Sequence, residues 1–219
     1  MSKETMRLYK EYVERAGSRI EVFREVRREF RSKRVLYPGS YVHLTPSLIF
    51  PEVIFVDSDI RAKRFFSCRE EIWDHINQFK ENEEEHLFQF ISGDYQSEMN
   101  IPLNSIDLLI SEYAGFVSIH TKEYLRNGGI LLAGDSHGDA TLANSDPDFL
   151  FLGVLKECEG QYCFQKGENE RYFRRYRNMA VDLDTVKNTM KGPKYSKSAD
   201  YYIFQKQGRT NEKEKINQK

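Results

Sequence analysis

Several acids of this chain stand where a ligand would use them. Asp57 closes the apolar run VIFVD (53–57), 18 positions after Gly39 in RVLYPGSYVHLTP. A carboxylate at the end of one strand, about 20 residues beyond a glycine turn that ends another, is spaced to accept both hydroxyls of a ribose. Asp59 is the neighbouring alternative, and a surface acid after an ordinary turn is the plain one. Gly39 lets the backbone turn sharply with no side chain in the way. Asp94, behind Gly93 in FISGDY, can accept from an adenine amino group or simply cap its own turn. Ser111, Glu112 and Tyr113 end and follow IDLLIS (106–111), where polar side chains leaving a strand face a ligand crevice.

The loop GDSHGD (134–139) invites two more readings. As a Gly-Asp-Ser hydrolase signature it lacks its base, because His137 is the last histidine of the chain and none follows the serine at a distance. As a metal loop, Asp135, His137 and Asp139 would offer oxygen and nitrogen ligands on alternate residues to a hard divalent cation. A polar turn accounts for the same residues, and no metal is expected. RYFRRYR (171–177) mixes cations with rings that can stack bases or hold phosphates, or else forms a charged hairpin with its rings packed inward. His75 and His86 read as solvated positions bordering ENEEEH, His120 as a structural helix residue, and Trp73 as a core anchor.

The elements that must position these groups follow from hydrophobic spacing. Residues 4–34 have apolar positions three and four apart, predicting helix with a break at Gly17-Ser18. The arginines of its second half face Glu21, Glu25 and Glu29 at salt-bridging intervals. RVLYP (34–38), VIFVD, LFQFI (87–91), IDLLIS and GILLAG (129–134) are continuous apolar runs, the mark of strands buried on both faces. Helices are expected near Thr45-Pro46, with Thr45 as N-cap, and through 60–80 and 116–126. Residues 138–156 read as helix, QYCFQ (161–165) and YYIFQK (201–206) as strands, and 207–219 as a disordered tail. The alternation predicts a doubly wound α/β domain.

Composition narrows the class. The 219 residues carry 33 basic and 34 acidic side chains, a net charge of −1, which speaks against a dedicated nucleic-acid binder. No stretch approaches the ~18 apolar residues of a membrane span, and the N-terminal segment has no apolar signal region. The three cysteines, Cys68, Cys158 and Cys163, match no zinc or redox spacing and read as reduced thiols of a cytoplasmic protein.

With these pieces in order, the run from Arg34 to about Lys206 resembles a class I S-adenosylmethionine-dependent methyltransferase. The matching residues are the Gly39 turn, Asp57, the Gly93-Asp94 pair, DLLIS, NGGILLAGD, and the late pair QYCFQ and YYIFQK as the antiparallel sixth and seventh strands. Where the family carries an acid followed by three spaced glycines, this chain has Tyr37 and Gly39 alone. The resemblance implies a Rossmann-like, seven-stranded, mostly parallel αβα sheet over 34–206, behind an N-terminal helical extension (1–33). It implies S-adenosylmethionine as cofactor, its methionine moiety on Pro38, Gly39, Ser40 and Tyr41, its ribose on Asp57 and its adenine near Asp94. The methyl acceptor, of unknown type, would face Glu112, Tyr113 and the loop after Asp135, with Glu112 and His137 as candidate bases. Two alternatives are a non-catalytic member of the same fold acting as a scaffold, and a nucleic-acid-associated protein whose Arg-rich N-terminal helix and 171–177 form one face.

Overall fold

The five continuous apolar runs become parallel strands; four are covered on both faces and need no polar alternation, while LFQFI lies at the sheet's edge with Leu87 and Gln89 exposed. The computed structural model describes residues 2–167 and 169–208; most of the expected tail, 209–219, lies outside them. The parallel strands are β1 (Arg34–Pro38), β2 (Glu52–Asp57), β3 (Leu87–Ser92), β4 (Ile106–Ser111) and β5 (Leu125–Ala133). With β6 (Phe149–Cys158), β7 (Gln161–Lys166) and β8 (Tyr201–Lys206) they form one sheet in the order β3-β2-β1-β4-β5-β8-β6-β7. β8 runs antiparallel to β5 and β6, and β7 antiparallel to β6.

The sheet thus has eight strands where seven are expected. The difference lies in residues 149–158. Residues 138–156 are expected as one helix, but only α7 (Asp139–Ser145) is helical, and Phe149–Cys158 is β6, paired with β8 over Phe149–Leu155 and with β7 over Gly153–Cys158. An apolar run of this length fits a buried helix or a buried strand equally well by periodicity. Here the free edge of β8 and a glycine at the register shift, Gly153, decide for strand. QYCFQ is therefore the outer edge strand and not the sixth strand of the resemblance.

Strand alternation sorts the core into two layers. On one side, Val35, Tyr37, Val53, Phe55, Ile110 and Ile203 pack with Tyr9, Val22, Phe23 and Val26 of α1 (Ser2–Ala16) and α2 (Ile20–Phe30). The other side joins Leu36, Ile54, Leu109, Leu131, Tyr202 and Phe204 to Tyr172 and Phe173. The Arg-rich helix and the segment 171–177 consequently lie on opposite faces of the sheet, and the expectation that they share one face is corrected. The N-terminal helices are separated at Gly17 (φ +82°) and Arg19 (φ +54°), as the Gly17-Ser18 break anticipates.

Smaller corrections have local causes. The helix expected over 60–80 is two, α4 (Ile60–Ser67) and α5 (Arg69–Phe79), and the one expected over 116–126 is the short α6 (Val117–Thr121). Thr45 precedes α3 (Pro46–Ile49) but does not cap it; its hydroxyl bonds Tyr9 Oη at 2.8 Å. His86 is buried, with Nδ1 2.7 Å from the Ser47 carbonyl and Nε2 2.9 Å from Asn82 Oδ1. His75 is half-buried, with its ring against Tyr9.

Candidate active site

The carboxyl ends of β1 to β4 open into a cleft of about 290 Å³ lined by Gly39, Asp57, Ser58, Gly93, Asp94, Tyr95, Tyr113 and Ala114. Parallel strands deliver these residues because each β–loop junction ends at the same edge of the sheet. Gly39 turns at φ +64°, and a Cβ placed there would overlap Ala114 Cβ of the β4 exit loop. The glycine thus serves the close approach of the chain's own Ala114. Asp57 accepts from the amide of Tyr41 through Oδ2 and from that of Asp59 through Oδ1, both at 2.7 Å. Two of its roughly four lone-pair positions are left for a ligand. Asp94 is exposed and accepts from the Gln96 amide at 2.9 Å.

Of the residues expected to hold a cofactor, Gly39, Asp57 and Asp94 line this cleft and Pro38, Ser40 and Tyr41 do not. Pro38 and Ser40 are buried beneath the turn. The Tyr41 ring turns away to meet Tyr12 and the Arg61 guanidinium.

Beside this cleft lies another of about 430 Å³, lined among others by Glu112, Tyr113, Asp135, Ser136, Lys194, Tyr195 and Tyr201. Tyr113, 68% exposed at φ +52°, borders both. Ser111 and Glu112 leave β4 on opposite faces, and each enters a buried network. Ser111 Oγ donates to Asp139 at 2.5 Å, and Ser118 donates to the same carboxylate through its amide and its hydroxyl. Burial outweighs these donors and pushes Asp139 up to about 6. Asp135 is also raised to about 6 by burial, while it accepts from the amide and hydroxyl of Thr141 at 2.8 and 3.0 Å. The acids of GDSHGD thus hold the start of α7, and no cluster of three or more His, Cys, Asp or Glu side chains suited to a metal occurs among the described residues. His137 is half-buried beside Ser136 Oγ at 3.2 Å and is not among the residues lining the cleft.

Glu112 is the centre of the second network. Its side chain is 1% exposed, Tyr37 Oη donates to Oε2 at 2.9 Å, and Arg19 Nε stands 3.5 Å from Oε1. Oε1 has no hydrogen-bond donor among the described residues. The Tyr201 hydroxyl faces the same carboxyl. Burial raises the Glu112 pKa, against the pull of Arg19. His43 is fully buried and held neutral, its pKa pushed down to about 3 by burial and by Arg19. Its Nε2 donates to the Ser18 carbonyl at 2.9 Å, which leaves Nδ1 to accept from Arg19 at 3.3 Å. Tyr37 Oη is 3.0 Å from the same nitrogen.

Sequence reasoning singled out Glu112 but missed Arg19, His43 and Tyr201 as its surroundings, and read Tyr37 only as a substituted acid. The available signal was weak: Tyr37 ends an otherwise aliphatic run, and Arg19 sits at the helix break. Neither betrays a contact with Glu112 across 75 and 93 residues of chain.

No family model matches the chain, and no curated protein matches it. Solved structures do. A "putative O-methyltransferase" from Klebsiella pneumoniae superposes with a TM-score of 0.51 at 9% identity, over 88% of this chain and 81% of that one. A "putative" S-adenosylmethionine-dependent methyltransferase from Methanococcus maripaludis gives 0.49 at 14% identity, over 96% and 95%. The O-methyltransferase TomG from Streptomyces achromogenes, solved with S-adenosylmethionine, gives 0.48 at 9%, over 93% and 89%. The first of these carries the likeness, and at such identity it is a likeness of fold. The chain has the Rossmann-like fold of class I methyltransferases, with an eight-stranded sheet.

Proposed function

We propose that this chain is an S-adenosylmethionine-dependent methyltransferase. The observation that supports the reading is the pair of adjoining clefts at the carboxyl edge of the sheet, one bearing Gly39, Asp57 and Asp94, the other Glu112, with Tyr113 between them. The residues fit the nucleoside end of the cofactor. Asp57 keeps free acceptor positions for ribose hydroxyls, Asp94 is exposed to accept from an amino group, and the Tyr95 and Tyr113 side chains flank the space. At about 290 Å³ the cleft stands at the lower limit of ligand pockets, ~300–1,000 Å³. When bound, the cofactor supplies an electrophilic methyl group on a sulfonium sulfur.

The chain's own part is to align the acceptor and move its proton. Glu112 is the base in this reading. Its raised pKa makes the carboxylate a stronger proton acceptor than an exposed one, and Oε1 is the oxygen left without a donor. Arg19, 3.5 Å from Oε1, and Tyr37, on Oε2, hold the group in place. When Glu112 takes the proton on Oε1, Oε2 remains the acceptor of the Tyr37 hydroxyl, so that bond is kept. His137, outside the cleft lining, is the alternative base.

A second reading draws on a specific observation. Ala114 fills the space directly over the Gly39 turn, and Asp57 already serves two amides. On that reading the fold is a non-catalytic scaffold. Isothermal titration with S-adenosylmethionine and S-adenosylhomocysteine separates the two. Micromolar binding that weakens about ten-fold or more in Asp57→Ala and in Asp94→Ala supports the enzyme, in line with the ~1–3 kcal/mol of a lost hydrogen bond to a charged group. No heat with either ligand at millimolar concentration sinks it and leaves the scaffold.

A further inference from the structure

The two Arg-rich parts of the chain differ in what their cations do. On α2, Arg24 pairs with Glu21 and Glu81, Arg27 with Glu84, and Arg28 with Glu25 and Glu29. The segment 171–197, on the other face of the sheet, carries Arg171, Arg174, Arg175, Arg177, Lys187, Lys191, Lys194 and Lys197 against Asp182 and Asp184 only. Eight cations and two acids give it +6 in a chain of net −1, so the remaining residues carry −7. No ion pair involves any of these eight among the described residues. The near-zero net charge therefore averages two regions of opposite sign.

The same segment exposes flat and apolar groups. Tyr176 is 68% exposed with the Arg177 guanidinium 5.2 Å from its ring centre, and Met179 is 52% exposed. A hollow of about 440 Å³ is lined by Phe173, Arg174, Arg175, Asn178 and Met179. Lys156 and Lys197 both stand over the Tyr172 ring, at 5.5 and 4.6 Å. Phe173 in turn packs edge-on against Tyr195, a wall of the Glu112 cleft. Cations with no ion pair among the described residues, set around the exposed Tyr176 ring, suit a phosphate backbone whose bases are free to stack. A duplex keeps its base faces covered and cannot use that ring.

We propose that the 171–197 segment is a docking surface for single-stranded nucleic acid, laid beside the mouth of the Glu112 cleft. It stands apart from the methyl-transfer reading, and its test contains no cofactor. Fluorescence anisotropy with a labelled 20-nucleotide single strand should show binding in low salt. For about four phosphate contacts the affinity should fall roughly fifty-fold between about 50 and 200 mM salt. Arg171→Glu/Arg174→Glu/Arg177→Glu should bind at least ten-fold more weakly and with a shallower salt slope. Should that variant lose its fold, the alanine version of the same three positions is the one to read. Lys10→Glu/Arg15→Glu/Lys63→Glu, an equal charge change on exposed residues of α1 and α4, should bind like the wild type. No binding at about 50 mM salt would overturn the proposal. So would unchanged affinity in both folded segment variants, an equal loss in the α1 and α4 variant, or equal affinity for duplex or for polyglutamate.

Discussion

Glu112 is a residue whose meaning depends on its neighbours. A buried carboxylate stripped of its cation is costly, about 3–5 kcal/mol when one partner of a buried pair is removed. Arg19→Met should therefore destabilise the protein by about 3 kcal/mol in urea denaturation, and Glu112→Gln in the same chain should recover most of the loss. Additive losses in the double variant would show that the two side chains do not act as a pair. The sign with pH is definite. Without Arg19 the folded pKa of Glu112 rises further above its unfolded value, so the single variant is stabler in acid and weakens as pH climbs through that pKa.

At the scale of elements, two junctions carry testable strain. The first is the contact of the β1 turn with the β4 exit loop. Gly39→Ala combines a positive φ with overlap onto Ala114 Cβ, and should cost about 2–3 kcal/mol. Ala114→Gly should return the overlap part of that loss but not the backbone part, so an unrescued double variant would mean that conformation alone explains the glycine. The second is the start of α7. The folded pKa of Asp139, about 6, lies above that of an unfolded aspartate, so stability contributed by its protonated form is full below about pH 4 and lost as pH rises through 6. Measured against Asp139→Asn, the wild type should lose about 2.4 kcal/mol between about pH 4 and 7. A pH-independent difference would place its pKa near the ordinary value.

For the molecule as a whole, the N-terminal helices are part of the sheet's cover. Tyr9, Val22, Phe23 and Val26 are buried in the same layer as Val35 and Phe55, and Arg19 reaches Glu112 from the junction of the two helices. Removing residues 1–33 should leave a chain without a cooperative thermal transition by circular dichroism. A truncated protein melting within a few degrees of the full chain would show that the extension is an independent appendage. Charge is also arranged at this scale: a helix whose arginines are paired with acids on one face of the sheet, and on the other a segment whose cations have no ion pair among the described residues.

The sequence by itself determined the parallel half of the sheet. Continuous apolar runs ending in Pro-Gly, Asp, Gly-Asp and Ser-Glu admit few other arrangements, and they brought Gly39, Asp57 and Asp94 to one cleft. It also marked Glu112 as an acid at a strand exit. It did not separate β6 from a helix, since ten mostly apolar residues satisfy either period until a partner strand is present. Nor did it reveal that the Gly39 turn faces Ala114, that Asp57 holds two amides, or that the two Arg-rich segments are parted by the sheet. Those are contacts between residues distant in the chain, and local spacing carries no record of them. Only the tertiary structure decided which charges are paired, which acids are buried, and therefore which groups remain available for chemistry.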